Sequence, residues 1–124
     1  MPNETMSLGE LEGPVLEELW KQGEMSTPAV YEAIGKPRGL AYTTILTVLQ
    51  WLNKKGLANR RADGRGHIYS PAVSREEFSR LRGRALAVSL GPLGEAGIAG
   101  FLSEVERADP EMIELLKTKL AGRA

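Results

Sequence analysis

The sequence predicts a mostly α-helical protein with one small β-hairpin, and three observations support this fold class. Apolar residues recur at helical spacing over most of the 124 residues. Glycine and proline stand at the ends of these helical stretches. An Asp-Gly pair, at 63–64, lies between two short stretches of strand-forming residues, which is a hairpin signal. We expect one domain over residues 1–72 and a helical segment over residues 73–124.

The first helix is predicted between Ser7 and Gly23. Ser7 precedes Glu10 by three residues, which is the spacing of a capping box, and Gly23 is a typical C-terminal stop. An apolar stripe at helical spacing lies between them. Pro14 lacks the N–H that would bond to the Glu10 carbonyl, so we expect the helix to kink there or to begin near Gly13.

The second helix is predicted to be short, about two turns, from Ser26 or Thr27 to Gly35. Either of the first two residues can cap it, and Pro28 suits its first turn because that position needs no N–H donor. Residues 36–39, KPRG, are predicted to form a turn.

The third helix is predicted over the stretch AYTTILTVLQWLNKKG, residues 41–56, although Tyr, Thr, Ile and Val favour strands. A strand would alternate with period two, and adjacent apolar pairs such as Ile45-Leu46 break that alternation. On a helical wheel, apolar residues gather on one side and a polar row gathers opposite them. The apolar side consists of Ala41, Ile45, Val48, Leu49 and Leu52, and the polar row of Thr43, Thr47, Gln50 and Lys54.

A β-hairpin with a basic tip is predicted after the third helix. Residues 57–61 and 67–70 are the predicted strands, and ADGRG, residues 62–66, allows a loop of three to five residues. Pro71 ends the second strand because it has no N–H to donate.

Helices also fill the C-terminal part of the chain. One is predicted from Arg75 to about Leu90, followed by a glycine-rich break and a short apolar segment over residues 98–105. Asp109 and Pro110 then supply a cap and a first-turn proline for the last helix.

The C-terminal apolar stripe is larger than a tail of about 50 residues could bury against itself, which indicates a partner chain. The alternative is that the stripe folds back on the N-terminal domain. The predicted dimerisation residues are Phe101, Leu102, Val105, Met112, Ile113, Leu116 and Leu120.

Charge is distributed unevenly, although the formal net charge is zero. Residues 1–34 carry one base and seven acids, residues 35–70 carry seven bases and one acid, and residues 71–124 carry eight of each. A basic window of this kind indicates an anionic partner such as nucleic acid. The alternative is a solvated basic surface that pairs with the acidic helix of the same domain.

Composition excludes several function classes. The chain has no cysteine and one histidine, His67, so we expect no metal site. It shows no nucleophile–base pair, no plausible carboxylate pair and no phosphate-binding glycine loop, so we expect neither an enzyme nor a cofactor. No apolar run approaches the ~20 residues of a membrane span, and the polar, acidic N-terminus is not a signal peptide. We therefore expect a cytoplasmic protein without a membrane partner.

The order helix, helix, threonine-rich helix and basic hairpin is the plan of a winged helix-turn-helix domain, which binds double-stranded DNA. Its recognition helix must present short polar side chains, because its backbone approaches the floor of the major groove. We predict base contacts from Thr43, Thr44, Thr47 and Gln50. We predict contacts to phosphates from Tyr42, Lys54, Lys55, Arg60, Arg61 and Arg65.

Each of these features also has a purely structural explanation. Threonines on a helix face are usually solvated, and basic residues near a hairpin form a surface more often than a binding site. Tyr42 and Tyr69 are expected to pack rather than to stack on bases, and His67 to be structural. The prediction of DNA binding therefore depends on all of these residues occurring at the expected places of one architecture.

Three stretches have a specific pattern: LEGPVLEELWKQGEMSTPAVYEAI, LAYTTILTVLQWLNKKGL and DGRGHIYSPAVSREEF. The AYTT-x₂-T-x-L core, the KKGL and the Y-S-P-x-V-S-R-E-E run are their most specific parts. Together they resemble the penicillinase repressor family (BlaI/MecI type). The C-terminal third is similar to the helical dimerisation segment of that family, chiefly in its length, its position and the stretch GIAGFLSEVE.

The resemblance implies a homodimeric repressor that binds palindromic operators and takes part in antibiotic resistance. In the family, a membrane-linked metalloprotease system triggered by a β-lactam cuts the C-terminal segment before a phenylalanine, and the matching bond here is Gly100–Phe101. Trp51 stands where the family often has arginine, and Gly100 stands where some members have asparagine. The chain also lacks the C-terminal cysteines of a copper-responsive branch.

A second hypothesis is a winged-helix module that binds protein and not DNA. The zero net charge and Trp51, a residue type that often anchors protein interfaces, motivate it.

Overall fold

The first helix continues through its internal proline. The computed structural model describes residues 8–123, so the predicted capping residue Ser7 lies outside the described part. Helix α1 is Leu8–Gln22 and includes Pro14, so the predicted alternative of a start near Gly13 is wrong. Apolar side chains on both sides of the proline are buried in one core, and their burial offsets the hydrogen bond that proline cannot form.

The next segment combines a short strand with a helix of changing pitch. Strand β1 is Met25–Ser26 and helix α2 is Thr27–Val30. The chain continues as a π-helical turn over Tyr31–Gly35 and a 3-10 turn over Lys36–Arg38. The Ser26 hydroxyl caps α2 by accepting a backbone N–H at 3.2 Å, which fixes the start of this helix.

The third helix, α3, is Tyr42–Lys54, so the helical interpretation of this stretch is confirmed. Four apolar side chains of its predicted inner side are fully buried: Ile45, Val48, Leu49 and Leu52. Ala41 precedes the helix and is exposed, so its place on the inner side was wrong. The helix ends before Gly56, which adopts a φ of 80°.

The sheet has three antiparallel strands in the order β1-β3-β2. Strand β2 is Ala58–Asp63 and strand β3 is Gly66–Pro71. Asp63 pairs with Gly66, so the turn has two residues and the predicted loop of three to five is wrong. Gly64 adopts a φ of 62°, the conformation that a two-residue hairpin turn requires of glycine at its first central position.

Strand β1 was not predicted, because two residues are too short to show an alternating pattern. Met25 pairs with Tyr69 and Ser26 with Ile68. This pairing covers the edge of β3 that the hairpin partner leaves open, and it ties the start of α2 to the hairpin.

Gly35 allows α3 to lie close to the segment before it. A Cβ atom at this position would lie 2.7 Å from Cγ1 of Ile45 and 2.7 Å from Cδ1 of Tyr31. Such distances are shorter than a van der Waals contact, so this crossing of the helix-turn-helix requires glycine.

The chain divides into two compact units between Ser79 and Arg80. Helix α4, Arg75–Leu90, therefore begins in the first unit, whereas the predicted boundary lay after residue 72. The start of α4 is attached to α1: Trp20 donates from Nε1 to the carbonyl of Val73 at 2.9 Å, and Arg75 forms two hydrogen bonds with Glu17.

The second unit is helical. After α4, a 3-10 turn over Gly91–Leu93 leads into helix α5, Gly94–Ala108, which is longer than the short apolar segment predicted there. Helix α6 is Pro110–Ala121, and the Asp109 carboxylate caps it by accepting a backbone N–H at 3.3 Å. Helices α5 and α6 pack against each other.

By length and composition alone, the stretch Arg75–Ala108 is long and apolar enough to cross a membrane. Its most apolar window has a mean hydropathy of 1.5, and none of that window is buried. The expectation that no apolar stretch approaches the length of a membrane span is therefore corrected for length and composition. Gly94 has φ 65° and ψ −160°, which is not helical, so the stretch is divided into helices of 16 and 15 residues. Each is shorter than the ~20 residues that a straight span needs.

Candidate nucleic-acid interface

The outer side of α3 carries an exposed polar row. Thr43, Thr47, Gln50 and Lys54 are all exposed, and Thr44 beside them is partly buried. The opposite side of the helix is fixed in the core, so the row cannot rotate away from the surface. A rigid helix with short polar side chains on its outer side has the form of a recognition helix.

Within this row, two threonines are linked by a hydrogen bond. Thr47 donates from Oγ1 to the carbonyl of Thr43 at 2.9 Å. While this bond holds, the Thr47 hydroxyl offers only acceptor lone pairs outward. On a base edge it would therefore face an amino group, such as N6 of adenine or N4 of cytosine.

Three contacts fix the position of α3. The close approach at Gly35 sets its first half. At its end, the Asn53 side chain donates to the carbonyl of Ala58 at 3.0 Å, which joins α3 to β2. Lys55 donates from Nζ to Glu12 Oε2 at 2.7 Å, and Glu12 is only 1% exposed.

These positioning residues were not identified from the sequence. For Glu12 a signal existed, because it stands within the apolar stripe of α1, one helical turn before Leu16. An acid at such a position needs a cationic or hydrogen-bonding partner, because burying an unpaired charge is costly.

The hairpin, which is the wing of this fold, lies beside the start of α3. Together with residues 26–28 they form an open groove of about 490 Å³. Tyr42 and Leu46 line it from α3, and Asp63, Arg65 and His67 line it from the wing. Tyr42 also packs edge-on against Tyr31, with ring centroids 5.5 Å apart. The structure therefore brings the predicted residues Tyr42 and Arg65 to one groove.

Three of the seven bases in the basic window pair with acids of the N-terminal region. Lys36 lies 3.5 Å from Glu32 and Lys55 lies 2.7 Å from Glu12. Arg61 forms hydrogen bonds of 3.3 and 3.2 Å with the two oxygens of Glu24. These bonds lower the pKa of the Glu24 carboxyl and raise the pKa of Arg61. Part of the charge asymmetry in the sequence is thus neutralised inside the domain.

Other bases remain available to a ligand. Arg60 and Arg65 on the wing form no ion pair with any residue in the range 8–123. Lys54 is exposed at the end of α3, and its Nζ lies 5.5 Å from the centre of the Trp51 ring. Arg38 donates from Nη1 to the carbonyl of Ile34 at 3.1 Å and forms no ion pair within residues 8–123. The available cations therefore lie on the wing, at the end of the recognition helix and in the turn before it.

In the second unit, α5 and α6 form an open apolar groove of about 520 Å³. Five of the seven predicted dimerisation residues line it: Phe101, Leu102, Ile113, Leu116 and Leu120. Val105 is buried instead, and Met112 is exposed outside the groove. The Gly100–Phe101 bond lies inside α5. No group of three or more acidic or histidine side chains among the described residues could hold a metal ion.

Comparison with known proteins gives a family and several relatives. The family model described as penicillinase repressor matches residues 8–121. The transcriptional regulator BlaI of Mycobacterium tuberculosis is 37% identical over 117 residues, which is 92% of this chain and 83% of that protein. The penicillinase repressor of Bacillus licheniformis is 27% identical over 75 residues, 60% of this chain and 59% of that protein.

A solved structure shares the fold. The solution structure of the DNA-binding domain of the repressor BlaI is similar with a TM-score of 0.51 and 29% identity. The match covers 59% of this chain and 87% of that domain. The mostly helical fold with a β-hairpin wing, predicted from the sequence, is thereby confirmed.

Proposed function

Because the chain belongs to the penicillinase repressor family, we propose that it is a sequence-specific DNA-binding transcriptional repressor that acts on a palindromic operator as a homodimer. The observation that carries this proposal is the exposed polar row of α3 beside a wing on which Arg60 and Arg65 form no ion pair within residues 8–123. The row suits the floor of a major groove, and the wing suits the phosphates that border it. The family is one of transcriptional repressors, which is not a class of enzymes.

We assign the base contacts to Thr43, Thr44, Thr47 and Gln50. Gln50 is exposed, and its amide forms no hydrogen bond within the described residues, so it can form a bidentate pair with adenine. Thr47 presents an acceptor, because its hydrogen is already donated to Thr43. This assignment favours half-sites that place an adenine at Gln50 and the amino group of an adenine or cytosine at the Thr47 hydroxyl.

The basic residues assigned to phosphate contacts fall into two groups, and Tyr42 is added to them. Lys54, Arg60 and Arg65 have no ionic partner in the described chain, so they can bind phosphates without breaking an ion pair. Lys55 and Arg61 would have to share or exchange their carboxylate partners. Tyr42 lines the same groove as Arg65, so we assign both residues to the backbone of the same DNA strand.

The test is a gel-shift titration with a palindromic promoter fragment and a scrambled duplex of equal length. The protein should prefer the palindrome, and log affinity should fall steeply with log salt concentration. Thr47→Ala should lower the preference, whereas Arg65→Ala should weaken binding to both duplexes alike. Equal binding of the two duplexes would contradict the proposal.

A protein-binding winged helix is the competing function, and the exposure of Trp51, 43%, is the observation that favours it. Capture of a protein partner, together with no DNA binding at low salt, would support this function over repression. The proposed location is the cytoplasm, with no cofactor and no membrane partner.

We also propose that cleavage at Gly100–Phe101 by a regulatory protease ends repression. The bond lies within α5, so a protease must first unfold this helix locally. Gly97 and Gly100 both lie inside α5 and weaken it by roughly 1 kcal/mol each. No atom lies within 4 Å of a Cβ built at Gly100, so Gly100→Ala should strengthen the helix. Slower fragment formation in cells exposed to a β-lactam would support the proposal, and an uncut wild-type chain would contradict it.

A further inference from the structure

Trp51 is the one large aromatic side chain of α3 that no core contact explains. It is 43% exposed, whereas the four inner apolar side chains of the same helix are 0% exposed. Its indole N–H forms no hydrogen bond within the part of the chain that the structure describes, although the other tryptophan, Trp20, donates its N–H to Val73. An exposed tryptophan with an unused donor is suited to an external polar partner.

The position of Trp51 on the helix excludes the wing as that partner. The side of α3 that faces the wing is defined by Tyr42 and Leu46, which line the groove, and by Asn53, which bonds to β2. Trp51 is five residues from Leu46 and nine from Tyr42, which is a rotation of about 140° and 180° on a helical wheel. The polar row therefore has the wing on one flank and Trp51 on the other.

Trp51 also holds a cation. Nζ of Lys54 lies 5.5 Å from the centre of the indole ring, within the range of a cation–π interaction. The flexible lysine stem is thereby restrained at the edge of the polar row. A helix that enters a major groove has a phosphate backbone on each side. If the wing follows one backbone, Trp51 and Lys54 are placed at the other.

We propose that Trp51 is a backbone-positioning residue, whose indole N–H donates to a phosphate oxygen on the strand that the wing does not contact. Its ring holds Lys54 for a neighbouring phosphate of the same strand. The inference rests on the proposed DNA-binding function and adds a second clamp to it. This clamp fixes the rotation of α3 in the groove, and it carries no base preference of its own.

Three variants of the full chain separate the parts of this clamp. Trp51→Phe keeps a ring for Lys54 but removes the N–H donor, Trp51→Leu removes both, and Lys54→Gln removes the charge. Loss of one hydrogen bond to a phosphate should weaken binding to a half-site by about tenfold. Because the indole is neutral, Trp51→Phe should leave the slope of log affinity against log salt unchanged. Lys54→Gln should lower that slope by about one per half-site.

The ratio of the affinities for the palindrome and the scrambled duplex is the second readout. Trp51→Phe should weaken binding to the palindrome and the scrambled duplex by the same factor. A change in the ratio of the two affinities would assign Trp51 to a base contact and overturn the backbone role. Trp51→Leu should also reduce the loss of DNA affinity that Lys54→Gln causes, because without the ring the lysine is no longer restrained.

Fluorescence quenching provides a readout that does not depend on affinity. The chain has two tryptophans, so the emission of Trp51 is the difference between the wild type and Trp51→Phe. Acrylamide should quench Trp51 in the free protein and quench it several-fold less in the DNA complex. Equal quenching in both states, or unchanged binding by Trp51→Phe, overturns the inference alone. Failure of the wild type to bind the palindrome overturns the proposed function itself.

Discussion

Two neighbouring lysines at the end of α3 have different environments. Lys54 is exposed over Trp51, whereas Lys55 lies 2.7 Å from the buried carboxylate of Glu12. In the sequence they are the same signal, a pair of bases in the last helical turn. The structure separates a cation that is free to bind a ligand from one that compensates a buried charge.

The two lysines should therefore differ in what they stabilise. Lys55→Ala leaves Glu12 without this partner and should lower the free energy of unfolding by about 1–3 kcal/mol. Because Lys55 is itself partly exposed, we expect a value in the lower part of this range. Lys54→Ala should change stability by less than about 0.5 kcal/mol and reduce the salt dependence of DNA binding instead. Urea unfolding and gel shifts of both variants make the comparison. Equal losses of stability would contradict it.

Arg61 is a wing cation whose carboxylate partner competes with DNA. Both side chains of the Glu24–Arg61 pair are more than half exposed, so the pair is readily exchanged for a phosphate. Glu24→Gln should raise DNA affinity by about twofold to fivefold. Glu17→Gln is the matched control. It removes the same charge from another exposed ion pair, which joins Glu17 on α1 to Arg75 on α4. A gain of the same size in the control would assign the effect to net charge alone.

The same pair gives a pH dependence. The hydrogen bonds from Arg61 lower the pKa of Glu24 below its ordinary value of 4.5. A carboxyl with a lowered folded pKa contributes stability that is present above its unfolded pKa and is lost as the pH falls through its folded pKa. Between neutral pH and about pH 5 the contribution is constant, and below that it declines. The melting temperature of Glu24→Gln should therefore fall less steeply in acid than that of the wild type.

At the scale of elements, close packing between the two helices of the helix-turn-helix determines where α3 lies. Gly35 adjoins Ile45 and Tyr31, and an added methyl group would overlap both. Gly35→Ala should cost about 1–3 kcal/mol of stability through overpacking and should weaken DNA binding by displacing α3. Gly83→Ala is the control: Gly83 is inside α4 with no atom within 4 Å of its Cβ position, so alanine should add about 0.5–1 kcal/mol. Thermal unfolding measures both.

The elements differ in how far the sequence predicts them. Helix α3 could be predicted although its composition favours a strand. The positions of Ile45, Val48 and Leu49, which are buried, follow the helical period. Strand β1 was not, because its two residues gain their conformation only from pairing with β3. The turn at Gly64 has only two residues because of the register of the hairpin, and this register could not be predicted from the sequence.

The candidate site shows the same division. The polar row of α3 could be derived from periodicity, because exposure on a helix is a local property. The partners of the basic residues could not be derived in this way, because Lys55 meets Glu12 and Arg61 meets Glu24 only through the tertiary fold. These pairs are separated by 43 and 37 residues in the chain. Predicted phosphate contacts therefore need the structure before they can be ranked.

At the scale of the whole molecule, the second unit does not have a core of its own. Between residues 80 and 123, Val105 is the single buried hydrophobic side chain, at 8% exposure. Several large apolar side chains in this range are exposed: Leu81, Leu86, Val88, Leu93, Ile98, Leu102, Met112, Leu115 and Leu120. A helical unit with so little buried apolar surface is not stable alone, since burial must offset the loss of conformational entropy. A second copy of the chain would supply the missing surface, so folding of this unit should be coupled to dimerisation.

This coupling predicts a melting temperature that rises with protein concentration. Ile113→Asp places a charge in the groove between α5 and α6 and should give a monomer with lower helical content. Thr118→Asp is the control, because it adds the same charge to an exposed position of α6 outside the groove. The monomer should still bind an isolated half-site, because the first unit has its own core, but should lose most of its advantage on the palindrome. Sedimentation, circular dichroism and gel shifts at two operator lengths test each step. A wild-type chain that stays monomeric at micromolar concentration, with helices intact, would show that this unit folds without a partner.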